Sequence, residues 1–206
     1  MESALFAYVS TDLHALTEAK NYYRWVIRQF APFMGKRVIE VGAGIGTFAQ
    51  SLLDHVPVSE LVLVEPSDNL FPILQRRFAQ EPRVKIIRGY FQPMAIPATA
   101  DSIVLVNVLE RIAEDQAFLD DTQAALTPGG TLLLLVPALP RIYGSLDQAF
   151  GHYRRYTKTA LASKLHAAGF GIVRLAYVNL LGIAGWFFTG RVLRRMTLQS
   201  RYVRWY

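Results

Sequence analysis

Six short apolar runs, separated by helix-like segments, constrain this chain more than any other feature. They are RVIEV (37–41), LVLVE (61–65), VKIIR (84–88), SIVLVN (102–107), TLLLLVP (131–137) and GIVRLAYV (171–178). Short runs rich in Val, Ile and Leu, nearly continuous in their apolar character, suit strands covered on both faces. Residues 47–53, 68–79, 114–126 and 157–168 read as the helices between them. This alternation predicts an α/β fold, a doubly wound parallel sheet with helices on both faces. Boundary signals agree: Ser67 or Asp68 suits the cap of the second helix, TPGG (127–130) its neighbour's end, and Gly169 the stop of the fourth. No repeat or linker interrupts the 206 residues, so one domain over 1–206 is expected.

Composition narrows the chemistry. The chain has no cysteine, which excludes disulfides, thiolate nucleophiles and cysteine-ligated zinc. No metal site is expected. The first residues, MESALFAYVSTDLH, lack a basic segment followed by an apolar one, so no export and a cytoplasmic location are expected. All 16 acids lie at or before Asp147, whereas Gln148–Tyr206 carries ten of the 22 Lys and Arg residues. Such segregation makes a field that draws an anionic partner to the C-terminal third.

The turn after the first run reads VGAGIGT, with Gly42, Gly44 and Gly46 at alternate positions. In a doubly wound sheet a ligand lies beyond the carboxyl ends of the strands, and this turn is its first contact. Glycines there admit positive φ and let a ligand approach the backbone. A dinucleotide fingerprint, G-x-G-x-x-G/A, requires Gly or Ala where this chain has Thr47. Glu40, two residues before the first glycine, repels a diphosphate and suits a cofactor carrying cationic groups, such as a sulfonium with an α-ammonium. Glu65, ending the second run before Pro66, is placed to accept both hydroxyls of a ribose.

At these residues the sequence resembles the class I S-adenosylmethionine-dependent methyltransferases, of the small bacterial type 11/12 kind. VIEVGAGIGTFAQSLL, LVLVEPSDNL, DSIVLVNVLERI and LTPGGTLLLLVPA carry the resemblance, over roughly residues 21–178. It implies a Rossmann-like methyltransferase sheet and S-adenosylmethionine as cofactor, with S-adenosylhomocysteine as product. Glu40, Gly42, Ala43, Gly44 and Gly46 would surround the methionine part. Glu65 and Pro66 would hold the ribose side, Asn107 and Val108 the methyl side. Many relatives have an acid after the third strand for the adenine amino group. This chain offers Tyr90 and Phe91 instead, and it has Arg111 where many relatives carry His. The resemblance also implies a last, antiparallel strand, which no run of this sequence supplies.

The segment YGSLDQAFGHYRRYTKTAL (143–161) follows the fifth run and carries the candidate acceptor chemistry. His152 is the candidate general base, and Asp147 orients or replaces it. Arg154 and Arg155 are the candidate clamp for a phosphate or carboxylate, with Tyr153 and Tyr156 as a planar wall. Residues 1–36 are read as an N-terminal helical cap, with Trp25, Ile27 and Phe30 on its packing face and Tyr22, Tyr23 and Trp25 beside the cofactor entrance. Residues 179–206 form a basic, apolar segment. Its apolar part is too short to span a bilayer but suits peripheral contact with the inner face of a membrane or with a lipid-linked anion.

Together these features point to methyl transfer to a small-molecule, glycan or lipid-linked acceptor, with O-methylation as the leading expectation. RNA or nucleic-acid methylation is the alternative suggested by the basic C-terminal third and its aromatics. An NAD-binding oxidoreductase is disfavoured by Thr47. A non-enzymatic module that binds cofactor without a base is the fourth reading.

Overall fold

The structure, a computed structural model, describes residues 20–92 and 100–178. Five strands form one parallel sheet: β1 (Arg37–Val41), β2 (Glu60–Glu65), β3 (Val84–Arg88), β4 (Ala100–Val106) and β5 (Leu126–Leu135). Their order is β3-β2-β1-β4-β5. The chain therefore reverses its direction of growth between β1 and β4, and that crevice is where open α/β sheets bind ligands. The doubly wound fold expected from the apolar runs is the fold observed.

Alternation along each strand sends side chains to two layers. Val38, Leu61, Leu63, Val104 and Leu133 meet Tyr23, Val26 and Ile27 of helix α1 (Lys20–Phe30) and Phe48, Ala49 and Leu52 of α2 (Thr47–His55). Leu74 of α3 (Phe71–Arg77) joins this layer. On the other face Ile39, Val41, Val64, Ile103 and Leu105 pack with Phe91 and with Ala125 of α4 (Asp115–Ala125). A third cluster joins α4 to α6 (Lys158–Ala167) through Leu119, Leu161 and Leu165. A short helix, α5 (Ser145–Ala149), lies between β5 and α6.

Several local expectations are corrected. The sixth apolar run does not form a strand: residues 171–178 are irregular. Its Phe170, Ile172 and Leu175 pack on the cluster between α4 and α6, so their apolar character serves side-chain burial without strand pairing. TPGG is not a helix terminator, because α4 ends at Ala125 and these residues lie inside β5. They form an irregularity there: Ala100 pairs with Leu126 but Ser102 pairs with Thr131. Neither Ser67 nor Asp68 caps α3, which begins three residues later, after Leu70. Asp68 pairs instead with Arg88. On α1 the packing face is Tyr23, Val26 and Ile27, while Trp25 is 36% exposed. Thr157, by contrast, caps α6 as a threonine should, accepting a bond from Ala160 N.

Along β5 runs an apolar groove of about 690 Å³, lined by Trp25, Phe30, Leu133, Phe170 and Leu175 among others. It touches no residue of the glycine-rich turn. The 179–206 segment, with the expected membrane contact and the missing last strand, lies outside the described residues, as do residues 1–19 of the N-terminal cap. Among the described residues no helix is long and apolar enough to cross a membrane.

Candidate active site

The glycine-rich turn is shaped by its backbone. Gly42, Gly44 and Gly46 take φ of 73°, 58° and 78°, values that side chains with a Cβ rarely adopt. Gly42 N–H and Ala43 N–H both donate to the Val64 carbonyl, which ties the turn to β2. A Cβ on Gly42 would stand 2.7 Å from Val108 Cγ2, so the turn also sits tightly against the segment after β4.

Two acids from adjacent strands meet beneath this turn. Glu65, at the end of β2, accepts from Gly44 N–H through Oε2 at 2.7 Å and from Ser67 N–H through Oε1 at 2.8 Å. A carboxylate has about four acceptor positions, so these bonds hold the turn and leave lone pairs for a ligand's hydroxyls. Glu40 differs. It is 3% exposed, and its Oε2 is buried without a hydrogen-bond partner. Burial, with the Glu65 charge beside it, pushes its carboxyl up to about 8. A buried oxygen with no donor costs stability unless something donates to it. A cofactor bearing an α-ammonium supplies that donor, and the open backbone of Gly42 and Gly44 supplies room, so the residues present fit S-adenosylmethionine.

Sequence reasoning missed the outer brace of the turn. Arg77 of α3 donates to the Ile45 carbonyl at 2.7 Å, across 32 positions of sequence, and no local motif announces such a bond.

On the other side of the switch point, Asn107 follows β4 with φ 56° and is exposed, while Val108 is half-buried. A 3-10 turn, Leu109–Arg111, then buries Glu110 completely. Of the two expected adenine neighbours, Tyr90 is 57% exposed, whereas Phe91 is buried, its ring 5.6 Å from that of Phe118. Phe91 thus stands in the core.

The 143–156 segment gathers a second set of charges. Asp147, fully buried at the third position of α5, accepts from Gly144 N–H through Oδ2 at 2.9 Å, a carboxylate reaching back over its own helix start. Its Oδ1 lies 3.0 Å from His152 Nδ1 and accepts from Arg155 Nε at 2.7 Å. Burial alone would raise the Asp147 carboxyl. The bonds from His152 and Arg155 outweigh it and leave the group below its ordinary value. His152 is buried, and burial lowers its imidazole despite the Asp147 bond. Its Nε2 points toward Glu110, with Oε1 at 3.7 Å.

The expected anion clamp is turned inward. Arg155, 8% exposed, spends its guanidinium on Asp147 and on the Ala138 carbonyl. Tyr156 donates to Asp115 Oδ2 at 2.9 Å, and Arg154 and Lys164 both pair with Asp115 Oδ1 at 2.8 Å. The physical reason is the charge segregation itself: a C-terminal third without acids finds its counter-ions on Asp115 and Asp147. The exposed group is Tyr153, at 61%, with the Arg154 guanidinium over its ring. Among the described residues no three of His, Cys, Asp and Glu are grouped to hold a metal ion.

Comparison with known proteins agrees with this geometry. Residues 14–175 match the family described as the methyltransferase domain. A demethylmenaquinone methyltransferase of Clavibacter sepedonicus is 26% identical over 157 residues, covering 70% of this chain and 62% of that protein. The mitochondrial ubiquinone biosynthesis O-methyltransferase of Schizosaccharomyces pombe is 25% identical, covering 61% of this chain and 44% of that one. The chain thus spans less than two thirds of the length of these relatives. A solved S-adenosylmethionine-dependent methyltransferase of Leishmania major shares the fold, with a TM-score of 0.64 at 21% identity, covering 83% of this chain and 71% of that chain. Parallel sheet, glycine-rich turn, unpartnered acid and family match converge: the chain belongs to the methyltransferase-domain family, among the class I S-adenosylmethionine-dependent methyltransferases.

Proposed function

We propose that this chain methylates a hydroxyl oxygen of a small-molecule acceptor, of glycan, anionic or lipid-linked type. The observation that carries the oxygen assignment is the buried Asp147–His152 pair on the acceptor side of the switch point. A hydroxyl starts protonated, and its methylation requires that the proton leave. Asp147, held ionised, accepts from Nδ1 and so fixes the tautomer in which Nε2 bears the lone pair. His152 is then the base, Asp147 its orienting partner, and Tyr153 the exposed wall against which an acceptor rests. Malonyl-carrier and ubiquinone-pathway O-methyltransferases among the relatives support an oxygen acceptor.

When bound, S-adenosylmethionine supplies a methyl group already activated on sulfur. Glu40, Ala43 and the three glycines would hold its methionine part, Glu65 and Pro66 its ribose side, and Asn107 and Val108 would border the methyl group. Tyr90 is the ring available to its adenine. This chain's own task is alignment and proton removal, which is why no nucleophile or metal cluster is needed.

Calorimetric titration with S-adenosylmethionine, S-adenosylhomocysteine and NAD tests the reading. Both adenosyl-sulfur ligands should bind and NAD should not, with Glu65→Ala weakening them by at least about tenfold, the worth of one charged hydrogen bond. Binding of NAD alone overturns it. Given cofactor binding, turnover of glycan and lipid-linked hydroxyl acceptors should be lost in His152→Asn, and methylation of amines only would refute the oxygen assignment.

A further inference from the structure

Glu110 is the one acid near the site whose situation the fold leaves unexplained. It is 0% exposed, and neither carboxylate oxygen has a hydrogen-bond partner. It stands on the turn directly after Asn107 and Val108, and its backbone carbonyl accepts from Tyr153 N–H at 2.8 Å, so it lies where the β4 turn and the acceptor-side segment meet. His152 Nε2 faces Glu110 Oε1 at 3.7 Å. With Nδ1 donating to Asp147, a neutral His152 presents a lone pair to Oε1. Two lone pairs face each other across that gap, and a single proton placed on either atom turns repulsion into a hydrogen bond.

We propose that Glu110 is a positioning residue for proton transfer, sharing one proton with His152 and draining from Nε2 the proton that an acceptor hydroxyl delivers. The inference rests on the reading of His152 as the base. The acceptor's O–H bond breaks toward Nε2, its electron pair stays on the oxygen that takes the methyl group, and the proton passes on to Oε1. The chain starts as ionised Glu110, neutral His152 and ionised Asp147. It ends with Glu110 neutral and the other two unchanged.

The surroundings allow this and little else to titrate near neutral pH. Arg111 on the same turn and Arg155 beyond α5 stay cationic. Asp147 stays ionised. Tyr22 of α1, pushed up to about 12 by burial and by the Glu110 charge, stays neutral, as does Tyr156, raised further by burial and by Asp115. Burial pushes the Glu110 carboxyl up to about 7 against the pull of Arg111 and Arg155. Below that pH the drain is filled, and above it the drain is open.

The test needs no acceptor. Protein labelled with nitrogen-15 at histidine reports the ring nitrogens of His152 as pH is raised, in the wild type and in Glu110→Gln, with His152→Asn assigning the signal. Nδ1 should remain protonated throughout, and the His152 inflection should fall in Glu110→Gln by at least about one pH unit, a tenfold loss of proton affinity. Glu110→Asp, which keeps the charge but withdraws it by one methylene, should fall between the two and serves if Gln prevents folding. An inflection unmoved in both variants overturns the inference. Cofactor binding measured on the same samples stays at the wild-type level if only this inference fails, and is absent from the wild type if the methyltransferase reading fails.

Discussion

The two sides of the switch point treat charge in opposite ways. Around the glycine-rich turn, Glu40 and Glu65 converge with no cation facing Glu40, and the surrounding shape is made by backbone at positive φ. Around the 143–156 segment, Asp147, Asp115, Arg154, Arg155, Lys164 and His152 saturate one another in bonds that cross up to 49 positions of sequence. One side is an incomplete electrostatic site awaiting a cationic ligand. The other is a finished one that holds a base in place. Ligand affinity is therefore concentrated on the first side and folding stability on the second.

The comparison breaks most visibly at Asp147. Asp147→Ala removes the acceptor of His152, Gly144 and Arg155, leaving a buried guanidinium uncompensated, so it should cost about 3–5 kcal/mol in urea unfolding. A cost below about 1 kcal/mol would mean that this side is not the stabilising one.

Glu40→Gln sharpens the opposite side. The Glu40 carboxyl has an ordinary value of 4.5 and a folded one of about 8, so the native state keeps a proton that the unfolded chain releases. Its stability contribution is complete below the lower value and is lost as pH rises through the upper one. Glu110 adds a loss of the same sign, complete by about 7. Unfolding midpoints of the cofactor-free wild type should therefore fall between about pH 5 and about pH 9, by a few kcal/mol in total. In Glu40→Gln the decline should flatten, most clearly above about 7, while cofactor affinity drops about tenfold or more. A slope identical in both proteins would show that Glu40 ionises normally.

The smallest effect is expected at Arg77, which braces the turn from the solvent side. Arg77→Ala should leave stability within about 1 kcal/mol and weaken the cofactor about twofold to fivefold, read by calorimetry. A larger loss of stability than of affinity would place Arg77 with the folding side.

How far the sequence could be read follows the same division. Strands β1 to β5 and the turn at Gly42–Gly46 announce themselves because their causes are local: apolar runs, and glycines where the backbone must turn. Even there Phe91 misleads, since an aromatic after a strand reads equally as a stacking ring or as core. The 143–156 segment showed its residue types but not their partners. Arg155 and Tyr156 read as a clamp because the acids that claim them lie eight and 41 positions away. Glu110 passed unremarked beside Arg111, because only the folded chain brings it to His152. The sixth run misled for another reason: apolar spacing reports burial, and burial here comes from packing on α4 and α6 without a neighbouring strand.

The backbone bond from Tyr153 to the Glu110 carbonyl has an evolutionary consequence. It pegs the main chain at one point while the Tyr153 side chain projects outward, so identity at this position is uncoupled from the folding of everything beneath it. Descendants of this chain can exchange Tyr153 for other residues and change which acceptors they meet, inheriting the proton-handling chain intact. New substrates are then reachable by single steps through folded intermediates, with no excursion through an unstable ancestor.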